Sequence, residues 1–423
     1  MPRVSRRGAA MPASPIRKLM PLADAARRRG VRVYHLNIGQ PDLETPPEIR
    51  ERLKALKERV FAYTPSAGTP EFLDALRGYY SRLGISLSLE ELIATTGGSE
   101  ALLFAFFSCT DPGDEVLVVE PYYTNYRSFA TMAGVRLAAL PTRGEDGFHL
   151  PPREAWERAI TPATRLVLLC NPNNPTGTVY SPQELRMVAE LCRDRGLFFV
   201  VDEVYREFVY DGRRAESALA LQGFEKNVIV VDSLSKRYSA CGIRLGSLAT
   251  RNREIYQAAL RMAQGRLSPP GLAQFAAVGL KDLPPTYAAT VVSEYQRRRD
   301  TLFDGLRGIP GVFLTRPEGA FYFVARLPVE DTEDFARFLL EDFEYERGTV
   351  MVAPASGFYA SAGLGANEVR IAYVLNEADL RTSVRILREG LAAYGARARR
   401  RESSPALAAV AGEGPDFGTP TGS

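Results

Sequence analysis

Ser233-Leu-Ser235-Lys236 is followed, after a short turn, by Gly242-Ile-Arg244-Leu-Gly246, and the apolar run Val228-Ile-Val-Val231 lies just upstream. A buried strand would therefore deliver two hydroxyls, an amine and a guanidinium to one place. An amine so placed forms a Schiff base with an aldehyde. Hydroxyls and a guanidinium beside it hold a phosphate, the arginine by charge-assisted bonds. An aldehyde that carries a phosphate is pyridoxal 5′-phosphate, and the stretch creates the expectation of that cofactor. The competing reading is an ordinary Ser-x-Ser-Lys loop with an arginine for solvation.

Other stretches carry compatible chemistry. Asp202 ends an apolar run in Val200-Val201-Asp202-Glu203-Val204-Tyr205. A carboxylate at a buried strand end needs a partner, and a protonated pyridine nitrogen is one. Tyr205 then reaches a ring hydroxyl. The alternative role for Asp202 is a helix N-cap. Asn171-Pro-Asn-Asn174-Pro175-Thr-Gly177 is a proline-fixed turn from which Asn174 can donate to a ring oxygen. Thr96-Gly97-Gly98-Ser99-Glu100 opens a helix, a place where free N–H groups and the helix dipole favour an anion. A plain cap explains that turn equally well. Tyr122 or Tyr123 can stack on a planar ring. Arg370, in the alternating run Val369-Arg370-Ile371-Ala372, needs an anionic partner if it faces inward, and a carboxylate suits its fork.

These residues must be positioned by a scaffold. Apolar runs of strand length recur at 115–119, 165–170, 197–201 and 227–231, with helical patterns between them at 99–109 and 182–195. Ser181 and Pro182 open the second helix. Continuous apolar strands alternating with helices predict an α/β fold with a mostly parallel sheet covered on both faces. Ligands bind such sheets beyond the carboxyl ends of the strands. From about residue 284 the pattern changes to a long charged helix (287–306), short strands at 311–314, 319–324 and 368–374, and helices at 332–343 and 377–394. The expected division is a disordered leader at 1–14 and a large cofactor-binding domain at 56–284. A smaller α+β domain is built from 15–55 and 285–396, and 397–423 forms a disordered tail.

Composition narrows the function. At 45% hydrophobic and 24% charged residues the chain reads as an ordinary globular protein. A net charge of +3 over 423 residues gives no reason to expect nucleic acid. No apolar run approaches the roughly 20 residues that span a bilayer. The basic N-terminus lacks the apolar stretch of a secretory signal, and Met11 is an alternative start. Cys109, Cys170, Cys192 and Cys241 form no C-x-x-C pair and read as structural, which suits a cytoplasmic setting. With only His35 and His149, neither in a cluster, a Ser-His-Asp hydrolase or a histidine-ligated metal site is hard to build.

Taken in order, these motifs resemble the class I and II aminotransferases of pyridoxal-phosphate fold type I. The resemblance covers roughly residues 15–396. It rests on Asn37-Ile-Gly39-Gln-Pro-Asp42, Tyr63 to Gly68, Gly97-Gly98-Ser99-Glu100-Ala-Leu, Asn171 to Gly177, Asp202 to Tyr205, Ser233 to Lys236, Gly242 to Gly246, and Val369-Arg370-Ile. It implies a seven-stranded-type sheet and a ping-pong transfer of an amino group from an L-amino acid to a 2-oxo acid. By the resemblance, Lys236 is the Schiff-base lysine and base, Asp202 pairs the pyridinium, and Asn174 and Tyr205 hold the ring oxygen. Tyr123 stacks on the ring, and Gly98, Ser99, Glu100, Ser233, Ser235 and Arg244 belong to the cofactor site. Gly39, Asn174 and Arg370 hold the substrate α-carboxylate. Tyr63 reaches the phosphate of a neighbouring subunit, which implies a homodimer with shared sites. Members that take dicarboxylic substrates have a second arginine for the distal carboxylate, and Arg266 is the candidate for an aspartate aminotransferase. Two rivals are a related pyridoxal-phosphate enzyme, such as a carbon–sulfur β-lyase or a cyclase, and the ligand-sensing domain of a transcription regulator. The regulator requires a winged helix ahead of the fold, where only about fourteen residues stand.

Overall fold

The computed structural model describes residues 2–402. In chain order its strands are β1 (Arg32–His35), β2 (Leu92–Thr95), β3 (Glu115–Glu120), β4 (Arg136–Pro141), β5 (Thr164–Cys170), β6 (Phe198–Asp202), β7 (Val228–Ser233), β8 (Gly246–Thr250), β9 (Phe313–Leu314), β10 (Tyr322–Arg326), β11 (Gly348–Met351), β12 (Ala353–Pro354) and β13 (Glu368–Ala372). The central sheet has seven strands in the order β2-β8-β7-β6-β5-β3-β4. Only β8 runs against its neighbours. Helices cover both faces, as the continuous apolar runs predict.

Strand polarity places the site. Strands β3, β5, β6 and β7 are parallel, so Glu120, Cys170, Asp202 and Ser233 leave the sheet at one edge. Antiparallel β8 sets Gly246 opposite Ser233, and β2 sets Thr95 opposite Gly246. The carboxyl end of β2, which leads into Gly97-Gly98-Ser99, therefore arrives at the same edge. The short strands β2, β4 and β8 carry no strong pattern of their own, and sequence reasoning left them out.

Alternation sorts the sheet's side chains between two cores. Val116, Val118, Leu166, Leu168, Cys170, Val200, Ile229 and Val231 pack on one face, while Leu117, Val119, Val167, Leu169, Phe199, Val201, Val228 and Val230 pack on the other. Burying each such aliphatic side chain contributes about 1.5–3 kcal/mol. The first of these cores continues into Phe321, Tyr322, Phe323, Val350 and Ile371 of the later strands. Those strands form a four-stranded antiparallel sheet, β12-β13-β10-β9, and β1 pairs in parallel with β11. The early chain is thus tied to the late chain by main-chain hydrogen bonds.

Two terminal expectations need correction. Within the expected disordered leader, Arg6–Ala10 is a short helix, because the Ser5 hydroxyl accepts from Gly8 N and Arg7 reaches Met132 O at 3.2 Å. The last helix runs Glu377–Glu402, past its expected end, through residues of good helix propensity, with Arg397 paired to Asp342. The rest of the expected tail, 403–423, lies outside the described residues.

Gly246 packs directly against main chain at the functional edge. A Cβ there would stand 2.6 Å from Gly97 C, 2.7 Å from Asp232 O and 2.8 Å from Gly98 N. Gly246→Ala is expected to lower stability by about 1–3 kcal/mol in chemical denaturation, as overpacking does. Gly78→Ala, in a helix interior with nothing within 4 Å of the added carbon, is the control. It should raise stability by about 0.5–1 kcal/mol.

Candidate active site

At the convergent edge lies a cavity of about 690 Å³. Its lining includes Gly39, Gly98, Ser99, Tyr123, Asn174, Asp202, Tyr205, Ser233, Ser235, Lys236, Arg244 and Arg370. Twelve of the fourteen residues expected at the site therefore meet in one place. Neither histidine lines it, but Cys170 and Cys241 both do, although sequence reasoning assigned them to structure alone.

Lys236 sits in a single helical turn, Leu234–Arg237, capped by the Ser233 hydroxyl, which accepts from Ser235 N at 3.2 Å. Its Nζ donates to Gly39 O at 2.7 Å. Arg237, the next residue, points away into the protein and grips Asp232 at 2.6 and 2.9 Å. That pair pins the turn from below and leaves the amine as the group presented to the cavity.

Asp202 forms the cavity floor. It is buried, accepts from Tyr126 Oη at 2.9 Å and from Val204 N at 3.3 Å, and makes no ion pair among the described residues. Burial pushes its carboxyl up to about 7 against both hydrogen bonds, and the nearby Asp232 and Glu203 charges add to the effect. Burial likewise holds the Tyr126 and Tyr205 hydroxyls well above their usual range, so both remain donors. Tyr126 was not foreseen; it is buried and three residues beyond a tyrosine pair that drew attention instead.

The anion cradle has three sides. Gly97 begins a thirteen-residue helix (Gly97–Cys109) with φ +71°, and an added Cβ would meet Arg244 Nη2 at 2.5 Å. Arg244 is itself left-handed (φ +57°), a conformation that turns its side chain toward Gly97 while Nη1 holds Cys241 O at 2.9 Å. The Ser233 and Ser235 hydroxyls are 2.9 Å apart. Backbone N–H groups, hydroxyls and a guanidinium together match a phosphate.

Arg370 faces inward from the middle strand β13 and is 2% exposed. Its Nη1 donates to Asn174 Oδ1 at 3.2 Å and its Nη2 to Asn37 O, while Nε has no partner among the described residues. The guanidinium lies over Tyr322, 4.4 Å from the ring centroid. Tyr322, also unforeseen, hydrogen-bonds Tyr205 Oη at 3.0 Å and Gly39 O at 3.4 Å. Any Cβ at position 39 would overlap its hydroxyl, so glycine is required there. Tyr123 lies against Tyr126 edge to face, 5.5 Å between centroids, and burial pushes its phenol up to about 12.

Three expected residues fall elsewhere. Glu100 does not line the cavity; it accepts from Thr96 N at 2.8 Å and from Arg266 Nε at 3.1 Å. Arg266 also donates to Ala94 O at 2.8 Å, so it braces the start of the Gly97 helix and does not line this chain's cavity. Tyr63 is 80% exposed and outside its own chain's cavity.

The residues present fit pyridoxal phosphate. A buried carboxylate without a cation suits a cationic ring nitrogen, the cradle suits a phosphate, and an orphaned guanidinium nitrogen suits a carboxylate. The raised Asp202 carboxyl gives a test. A group whose folded pKa lies above its unfolded value contributes stability that is present below the unfolded pKa and lost as pH rises through the folded one. Cofactor-free protein should therefore lose stability between about pH 4 and pH 7 on account of Asp202. Asp202→Asn should flatten that part of the profile and be the more stable protein at pH 8, by a few kcal/mol at most. Denaturant titrations across pH read both.

Comparison with known proteins agrees with this geometry. The family model for class I and II aminotransferases matches residues 31–387. The probable aspartate/prephenate aminotransferase of Thermus aquaticus is 34% identical over 365 residues, covering 85% of this chain and 91% of that one. The aspartate aminotransferase of Rhizobium meliloti strain 1021 is 32% identical, covering 88% and 92%. Among solved structures, a single mutant of Thermus thermophilus aspartate aminotransferase superposes with a TM-score of 0.84 at 32% identity, over 92% of this chain and all of that one. Alanine aminotransferase from Pyrococcus furiosus gives 0.85 at 28%, over 92% and 99%. With the site residues and the fold in agreement along the whole sheet, the chain belongs to the class I and II aminotransferases, enzymes that depend on pyridoxal phosphate.

Proposed function

We propose that Lys236 is the catalytic base of amino transfer in this enzyme and that Asp202, Asn174, Tyr205 and Arg370 position the reactants around it. The convergence of amine, unpaired carboxylate and inward guanidinium in one cavity carries this assignment. When bound, pyridoxal phosphate supplies an aldehyde that receives the amino group and a cationic ring that withdraws electrons from the α-carbon. Asp202 holds its carboxylate opposite the ring nitrogen, with the Tyr126 hydroxyl fixing its orientation. Asn174 and Tyr205 donate to the ring oxygen, and Tyr123 covers one ring face. Gly98, Ser99, Ser233, Ser235 and Arg244 hold the phosphate.

Arg370 and Asn174 bind the substrate α-carboxylate, at the guanidinium that still lacks one partner. The substrate α-carbon then lies within reach of Lys236 Nζ, which removes its proton. Gly39 O, which holds the amine at 2.7 Å, fixes its starting position. The relatives named above are aminotransferases, which favours this chemistry over the β-lyase. Lys236→Ala should lower kcat by about 10⁴-fold, as loss of a general base does. It should also abolish the yellow absorbance band that a single amino acid bleaches, and a 2-oxo acid restores, in the wild-type holoenzyme. A retained band would sink the assignment.

The proposed assembly is a homodimer in which Tyr63 completes the partner's phosphate site. Val60, Phe61 and Tyr63 are 77%, 67% and 80% exposed, and Ser66 ties this segment at 2.6 Å to Leu267, itself 52% exposed. An apolar patch of this kind calls for a covering surface. A cytosolic location is compatible with four free cysteines, and among the described residues no helix is long and apolar enough to cross a membrane. Mixing Lys236→Ala with Tyr63→Ala subunits should regain activity that neither has alone, because each heterodimer rebuilds one intact site. No regain after verified subunit exchange would rule out shared sites.

A further inference from the structure

Glu120 ends β3 at the same edge as Cys170, Asp202 and Ser233, yet it alone of the four does not line the cavity. It is 0% exposed and makes no ion pair among the described residues. A buried carboxylate in that condition must be satisfied by hydrogen-bond donors. Its donors come from one place, the connection between β12 and β13. Ala360 N and Ser361 N donate to Glu120 Oε2 at 2.7 and 3.1 Å, and the Ser361 hydroxyl donates to Oε1. A fourth bond runs beside these, from Tyr122 N to Phe358 O at 2.9 Å.

The anchor is rigid on its own side. Thr142 donates to Glu120 O through its N–H and its hydroxyl, each at 2.9 Å, and Glu120 lies in register with Pro141 of β4. What the anchor holds is Phe358. That ring is buried, and the Arg370 guanidinium lies over it at 5.0 Å from the centroid, as it lies over Tyr322 at 4.4 Å. Tyr322 is fixed by β10, the strand paired with β13. Phe358 belongs to no strand. It ends a single 3-10 turn, Ala355–Phe358, and three residues later the chain runs into the exposed stretch 361–364. Four bonds to the end of β3 therefore fix the backbone that carries this ring.

We infer that Glu120 is a positioning residue for substrate binding: it docks the segment 358–361 onto the central sheet and so keeps the Phe358 ring against Arg370. The inference rests on the proposed assignment of Arg370 to the substrate α-carboxylate. A planar guanidinium supported by rings keeps its edge, where Nε lacks a partner among the described residues, directed at a carboxylate. Because the effect passes through Arg370, every amino acid shares it whatever its side chain. The phosphate cradle and Asp202 stand outside it.

The test is the single-turnover reaction of holoenzyme with a panel of L-amino acids, L-aspartate and L-alanine among them, followed by the absorbance of the bound cofactor. Glu120→Gln should raise the half-saturation concentration by about tenfold to a hundredfold for each amino acid that reacts, as displacement of a binding group does. The limiting rate should stay unchanged. So should the affinity of the cofactor-free protein for pyridoxal phosphate, read by absorbance titration. In a Phe358→Leu background, Glu120→Gln should add no further loss, because both act on the same ring. Ser361→Ala removes one donor from an exposed residue and should raise half-saturation by a smaller factor; it carries the test if Glu120→Gln does not fold. An unchanged half-saturation, an equal fall in cofactor affinity, or losses that add in full with Phe358→Leu would overturn the role of Glu120. Failure of Arg370→Ala to weaken any amino acid would instead overturn the underlying assignment, whatever Glu120 does.

Discussion

Asp202 is a carboxylate buried at a strand end with no cation beside it, and that unsatisfied charge sets the terms for its surroundings. Two other acids in the same region have been dealt with. Glu203 is paired with Arg206 at 2.6 Å and capped by Ala218 N, and Asp232 is gripped by Arg237. Asp202 has only the Tyr126 hydroxyl and a long contact from Val204 N. A charge left in this condition is disfavoured unless something cationic arrives. On the proposed placement, binding of a cationic ring would relieve a cost already present in the folded protein, and cofactor affinity would depend on the burial of one residue.

The same logic explains how adjacent residues of like charge take opposite roles. Asp202 and Glu203 are neighbours, and so are Lys236 and Arg237. In each pair one side chain enters the cavity without a countercharge, while the other is buried in an ion pair on the far side. Strand alternation separates the first pair, and one turn of helix capped by Ser233 separates the second. The internal network of Glu203, Arg206, Asp232 and Arg237 is a foundation on which the cavity-facing members stand.

Much of this was legible in the sequence, and the rest was illegible for definite reasons. Strands β3, β5, β6 and β7 announce themselves as continuous apolar runs because both of their faces are covered. Their carboxyl ends could therefore be read as a ligand edge, and Asn174, Asp202 and Lys236 follow from that reading. Strands β2 and β8 are short and weakly patterned, and their place depends on pairing across the sheet. The fit of Gly246 against Gly97 is a consequence of that pairing and leaves no local trace. Glu100 and Arg266 fall outside this chain's cavity for a related reason. They bond to each other across 166 positions, and a motif that names Glu100 beside Ser99 does not say that a helix turns their side chains to different sides. Tyr126 and Tyr322 were missed because each is an ordinary residue until the fold brings it to the cavity.

Asn37 and Arg370 show why the two ends of the chain must be considered together. Arg370 lies on a middle strand of the late sheet, and β1 attaches the early chain beside it through main-chain bonds such as Ala372 N to Leu36 O at 2.7 Å. That attachment places Asn37 between Arg370 and the Ile16 segment, with its carbonyl on one and its amide on the other. A displacement of the early chain would therefore move the Ile16 segment and loosen Arg370 in the same motion. The Arg370 guanidinium is in this way held by the early and the late chain together, apart from the parallel sheet whose edge carries Lys236 and Asp202.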